Sequence, residues 1–523
     1  MLVVLALLGC TAEGDPEKHD SGDVDTDTDV HADTDADTDA DSDTDTDTAP
    51  PDADGDGYAS DSDCDGANAD VHPGAQEACE DGVDDDCDGA DLACDRELTT
   101  DEADGVIVGT REEDRLYLAG LVDLDGDGTD EVGVSVREDP GDDYWSLYFL
   151  DAPIAGTVDA SSAIASVLVG PNGKYLNSPL AADVDGDAVP DLVVGSLIEG
   201  GALEDDDYQQ GALYVFPGPA PLGREVDEAS LRLDGTGYGG TFGADIEAGT
   251  LDRDGGAALV ATEAGSGTVW VVETPLEGTY TVDDVGVALD FFDDPSLYGV
   301  ASVEVTDHDG DGIDDVLVGD WQAYDDGVRV GAVYLLYGPI TQPRGRDDVD
   351  ATILGEAEGS FGFHFVTDGD VDGDGLPDLL VSLYNAGFGG EAAGRAWLFT
   401  GPIEGTVGSE SGATAIIDGE AGCTLGSDLA LGDLDSDGLA EVVVGAAYAR
   451  EVLLFRAPAG SLMPDDAAFR IASTEDGDAF GRHLDLGHLD EDAWIDLAVS
   501  AYLSSGSVPQ GGATYTFHGI SVP

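Results

Sequence analysis

A carboxylate-rich loop recurs seven times, about every 61 residues, and runs each time into a short apolar strand, which predicts an all-β, seven-bladed β-propeller over residues 99–523. The loops begin at Asp123, Asp183, Thr250, Asp307, Asp370, Asp433 and His488, at spacings of 60, 67, 57, 63, 63 and 55 residues. About sixty residues hold four short strands and their turns, which is one blade.

The best copy of the loop reads Asp370-Val-Asp-Gly-Asp-Gly-Leu-Pro-Asp378 and continues into Leu-Leu-Val-Ser. Carboxylates stand at the first, third, fifth and ninth places, the pattern of a hard cation that takes six to eight oxygens at irregular geometry. Gly375 at the sixth place permits a sharp turn, and the carbonyl of Leu376 at the seventh adds an oxygen. No amphipathic helix follows, unlike an EF-hand; the β-branched and leucine run reads as a buried strand.

Five loops are complete, and each implies a calcium site. Their side-chain ligands are Asp123, Asp125, Asp127 and Glu131; Asp183, Asp185, Asp187 and Asp191; Asp307, Asp309, Asp311 and Asp315; Asp370, Asp372, Asp374 and Asp378; and Asp433, Asp435, Asp437 and Glu441. The seventh-place carbonyls belong to Thr129, Val189, Ile313, Leu376 and Leu439. The third loop keeps Asp252 and Asp254 but has Thr250 first and Ala258 ninth, so it is expected to be empty. The last keeps Asp490, Asp492 and Asp496 with His488 first, and is expected to be weak or empty.

Ahead of the repeats the chain changes character three times. Residues 1–10 are apolar, and Leu7-Leu8-Gly9-Cys10 resembles the lipobox of bacterial lipoproteins, which implies lipidation of Cys10. No basic residue precedes the apolar run, so the true start is expected upstream of Met1. Residues 11–51 form an acidic linker, with twelve aspartates in the 26 residues from 23 to 48 alternating with Thr, Ala, Ser and Val. With no apolar face to bury and like charges repelling, it reads as a disordered, extended spacer.

Residues 52–95 are a small Cys- and Asp-rich module. Asp52, Asp54, Asp56 and Asp63 take the first, third, fifth and twelfth places of an EF-type loop, a sixth candidate calcium site. Cys64, Cys79, Cys87 and Cys94 suggest two disulfides, with three connectivities open. The segment resembles the MopE-type metal-binding motif of exported bacterial proteins. Some relatives are associated with copper, yet the oxygen-rich loop suits calcium better. Cys423 stands apart and is expected to be a small buried hydrophobe.

Charge narrows the function classes. Seventeen basic against 115 acidic side chains give a net charge of −98. Nucleic acid and electrostatic docking on anionic lipid both need basic patches, so both are excluded as partners. Even five bound calcium ions would leave about −88, so most of the acid is solvated surface. No His-Glu-x-x-His and no Gly-x-Ser-x-Gly is present, the eight histidines are scattered, and no segment outside the repeats has room for a catalytic domain. The chain is therefore not expected to be an enzyme.

Around the loops a second grammar returns. Phe242-Gly243, Phe361-Gly362 and Phe480-Gly481 lie upstream of loops, and Gly211-Ala-Leu-Tyr214, Gly331-Ala-Val-Tyr334 and Gly512-Ala-Thr-Tyr515 lie downstream. These motifs resemble FG-GAP repeats, the units of the integrin α-subunit β-propeller, across about residues 99–523. The resemblance implies an exported, cell-surface binding or adhesion module for an extracellular protein or glycan. A metal-scavenging surface protein and a propeller accessory to an extracellular hydrolase are the competing readings.

After Tyr515 the chain supplies no outer strand, whereas Gly105-Val-Ile-Val108 precedes the first loop, so the N-terminal strand is expected to complete the last blade. Trp321, Tyr324, Tyr384, Tyr448 and Tyr502 follow the post-loop strands and are candidates for a shared ligand face. Packing between neighbouring blades is the alternative role for them.

Overall fold

The computed structural model describes residues 97–520 apart from 140–143, 163–164, 169–175, 197–209, 220–223, 226–227, 237–240, 254, 292–299, 356–360, 491, 493 and 507, together with Cys64, Asn68 and Val71. Asp95–Val522 fall in one compact unit and Thr11–Cys94 in another. Cys10, the acidic linker, the loop of Asp52, Asp54, Asp56 and Asp63, and Cys79, Cys87 and Cys94 lie outside the described residues.

Seven sheets form the propeller, one per repeat. Blade 5 shows the pattern. His364–Gly369, Asp378–Leu383, Arg395–Phe399 and Ala415–Asp418 make an antiparallel meander from the inner to the outer strand. The second and third strands are buried along nearly their whole length, which is why they read as continuous Leu/Val/Phe runs instead of alternating ones.

Each sheet has five strands rather than the expected four. The fifth is a short parallel strand lent by the next blade, from the connection between that blade's third and fourth strands. Gly460–Leu462 of blade 6 pairs in this way with Ala415–Asp418 of blade 5, and Gly405–Gly408 of blade 5 with Ala351–Leu354 of blade 4. These strands are two to four residues long and carry no apolar period that a sequence reading could detect.

The ring closes by the same rule. Gly105–Val108 pairs antiparallel with Ala513–Phe517 as the fourth strand of blade 7, as expected. Glu97–Thr99 pairs parallel with Phe469–Ala472 as the fifth strand of blade 6. The N-terminal segment thus closes two blades, and both would otherwise expose an unpaired edge.

The recurring motifs meet at the blade junctions. Gly211 bridges to Phe242 of the following blade, Gly331 to Phe361, and Gly512 to Leu116 across the closure. Phe242, Phe361 and Phe480 are buried. At Gly331, with φ +78°, a Cβ would stand 2.1 Å from the Phe361 carbonyl oxygen, so backbone approach dictates the glycine. Carboxylates on inner strands add ties between blades: Asp245 accepts the Val303 N–H, Asp428 the Leu484 N–H, and Asp485 the Leu121 N–H.

Cys423 is buried but disulfide-bonded, which corrects the reading of it as a plain buried hydrophobe; Cys64 is disulfide-bonded too.

Candidate metal centres

Every loop connects the first and second strands of its blade, so all seven lie at one end of the ring. Within a loop the carboxylates hold the backbone before they hold any ion. In blade 5, Asp370 accepts the Gly373 and Gly375 N–H groups at 2.7 and 2.8 Å, Asp372 accepts from Asp374, and Asp374 accepts from Leu376. Gly375 has φ +87°, the turn its position called for, while blade 2 places Ala188 there at φ +68°. The same bonds fix the peptide at Thr129, Val189, Ile313 and Leu439.

The ninth place is a structural hub. Asp378 accepts the Val371 N–H with one oxygen and the Gly401 N–H with the other, stapling the loop to the end of the third strand. Asp191, Asp315 and Asp496 do the same with Gly218, Gly338 and Gly519. In blade 3, where Ala258 stands, the corresponding Thr274 N–H turns to the Ala257 carbonyl. Asp254 of that loop lies outside the described residues.

The remaining oxygens converge. Asp123, Asp125 and Asp127, then Asp183, Asp185 and Asp191, then Asp307, Asp309 and Asp311, then Asp370, Asp372 and Asp374 each bring ligand atoms within 4.8 Å of one another. Asp307 Oδ1, Asp433 Oδ1 and Glu441 Oε1 are buried with no hydrogen-bond partner. Burial and then neighbouring carboxylates push Glu131, Asp315 and Glu441 up to about 7 and Asp378 up to about 6. Orphaned buried oxygens and mutually repelling acids are what a divalent cation relieves, so the donor set fits one.

Three loops depart from the common form. In blade 6 the Arg456 guanidinium lies 2.9 Å from Asp435 Oδ2 and also meets Asp437, so that the fifth complete loop contains a cation of its own. In blade 7, ligand atoms of Asp490, Asp496 and His518 come together, and His518 was not among the sequence candidates. In blades 3 and 7 the first place lacks a carboxylate, and there the next blade supplies one from its eighth place. Asp314 accepts the Thr250 N–H at 2.6 Å, and Asp130 accepts the His488 N–H at 2.8 Å. A first-place aspartate facing either carboxylate would be repelled.

Residues 425–462 match the FG-GAP repeat family model, and residues 63–91 match the metal-binding motif Cu-binding_MopE. The first match makes blade 6 an FG-GAP repeat, and the other six blades share its strand order. The chain is 29% identical over 263 residues to integrin alpha-IIb of Homo sapiens, which covers 46% of this chain and 23% of that protein. It therefore spans about a quarter of the length of that relative. A solved structure of BBS1N in complex with ARL6DN, soaked with lead, aligns with a TM-score of 0.41 at 10% identity, over 80% of this chain and 94% of that one.

At the end of the FG-GAP ring opposite the metal loops, aromatic side chains form a ridge. Trp321 of blade 4 meets Phe363 of blade 5 edge-on at 6.2 Å between centroids, and Phe363 meets Tyr384 at 6.2 Å. The Arg329 guanidinium lies over Trp321, and Arg482 of blade 7 lies over Tyr384. Tyr324 and Tyr448 are exposed, and Tyr502 is half-buried. Of the five aromatic candidates, the ridge unites Trp321 and Tyr384. The residue that links them, Phe363, escaped notice because the Phe361-Gly362 pair just before it carries the recognisable motif. Among the described residues no helix is long and apolar enough to cross a membrane.

Proposed function

We propose that the protein is a calcium-loaded binding module displayed outside the cell, and that its FG-GAP propeller offers the aromatic end of the ring to a protein or glycan ligand. The observation that carries this reading is the ridge of Trp321, Phe363 and Tyr384 with Arg329 and Arg482. Aromatic and arginine side chains grouped on one exposed face are the usual anchors of recognition. The similarity to integrin alpha-IIb supports a binding role, and calcium at the opposite end stiffens the ring. Lipidated Cys10 would hold the protein at the surface and the acidic linker would space it from the membrane. Catalysis has no part in this reading.

Binding of the purified chain to arrays of glycans and extracellular proteins tests it. A hit should weaken at least tenfold in the Phe363→Ala, Tyr384→Ala double variant while the calcium-bound Tm stays within a few degrees. Undiminished binding by that variant rejects the ridge as the ligand face.

A second reading, metal scavenging, is favoured by the match of residues 63–91 to the Cu-binding_MopE motif. Elemental analysis separates the two: copper retained through purification supports scavenging, and calcium alone supports the first.

A further inference from the structure

Blade 7 has lost the ordinary loop site and gained different chemistry beside it. His488 occupies the first place, and its Nδ1 lies 3.0 Å from the Trp494 carbonyl. A carbonyl only accepts, so Nδ1 is the donor. The seventh-place oxygen, which a complete loop offers to calcium, is thereby taken by the side chain that replaced the first carboxylate.

One step away stands His518, just beyond Ala513–Phe517. Backbone bonds fix it from both sides: its own N–H donates to Asp104 at 2.8 Å, and the Gly519 N–H donates to Asp496 at 3.0 Å. The equivalent exit position in blade 6 is Arg456, which reaches the carboxylates of its own loop. A side chain leaving the third strand here is thus directed onto the loop acids, and in blade 7 it is an imidazole.

One ligand atom each from Asp490, Asp496 and His518 lie within 4.8 Å of one another, and Asp496 is wholly buried. His518 Nε2 is buried without a partner. Its Nδ1 stands 3.4 Å from Asp490 Oδ2, long for a hydrogen bond. With Zn–N and Zn–O bonds of about 2.0–2.1 Å, two ligands of one tetrahedral ion lie about 3.3 Å apart. Calcium takes oxygens, whereas an imidazole with two carboxylates suits a borderline ion and leaves a fourth position open.

We propose that Asp490, Asp496 and His518 form a transition-metal site in blade 7, distinct from the calcium loops, that takes a divalent ion of the zinc type.

The test uses the full chain in excess calcium, stripped of transition metals and then dialysed against zinc. Wild type should retain one zinc more per chain than His518→Ala and than Asp490→Asn, so zinc held by residues 63–91 cancels in the difference. Zinc should raise the Tm of wild type above its own value in calcium alone by more than it raises that of His518→Ala. Should His518→Ala fail to fold, His518→Gln takes its place, and zinc X-ray absorption of wild type should report imidazole and oxygen ligands. Equal zinc content in wild type and the folded variants, displacement of the zinc by calcium, or a spectrum without imidazole would overturn the proposal.

Discussion

Substitution of Ile107 by alanine probes the closure of the ring at one side chain. Ile107 is fully buried in the strand Gly105–Val108, where it pairs with Thr514 on one side and Val158 on the other. It packs in a core with Leu116, Val132, Leu150, Ile154 and Ala498, which come from the first and last blades. Ile→Ala at a fully buried site costs about 3–5 kcal/mol, the upper part of the usual range, because strands on both sides limit collapse of the cavity. Unfolding entropy over a ring of this length is about 0.9 kcal/mol per kelvin, so Tm should fall by about 3–6 °C. Calorimetry in saturating calcium measures it, with Val328→Ala as control. Val328 is 47% exposed, and its loss should cost no more than about 0.5 kcal/mol. An Ile107→Ala shift no larger than that of the control would refute the closure.

Chelation should unmask a pH dependence. Glu131, Asp315 and Glu441 sit near 7 and Asp378 near 6, above their ordinary values, so these acids stabilise the fold when protonated. That contribution is full below about pH 4 and is lost as pH rises through 6 to 7. In EGTA, Tm should therefore fall between pH 5 and pH 8, while excess calcium should flatten the profile and raise Tm at pH 8. Asp314→Ala leaves the Thr250 N–H without its acceptor and should cost about 1–2 kcal/mol by chemical denaturation, although the residue stands at none of the candidate ligand places of its loop. Cys423 should be alkylated by iodoacetamide in the unfolded chain only after reduction, as peptide mapping would show.

The repeat count, the closing strand and the clustered loop carboxylates were legible because a carboxylate-rich loop imposes residue types at fixed spacing. Asp370 to Asp378 predicts its own turn, its own cluster of carboxylates and the strand that follows. What escaped depends on neighbours distant in sequence. The fifth strands are segments such as Gly460–Leu462, whose pairing is set by the outer strand of another blade. Arg456 and His518 act on loops 19 and 22 or more residues earlier, and only the return of the third strand brings them there. Asp130 and Asp314 look like surplus acid in the sequence, yet each caps the backbone of the preceding blade at the place where a first carboxylate is missing. Loss of an acid in one repeat is thus coupled to gain of one in the next, which reading each loop alone does not reveal.

The most direct test is a crystal structure of the protein grown in calcium, with anomalous scattering used to locate the ions. Calcium should appear in the loops of blades 1, 2, 4 and 5, and in blade 6 with Arg456 displaced from Asp435, while the loop of blade 3 holds none. Loops without calcium in blades 1, 2, 4 and 5, or an ion bound at Thr250 and Ala258 in blade 3, would contradict the assignment of the repeats as calcium loops.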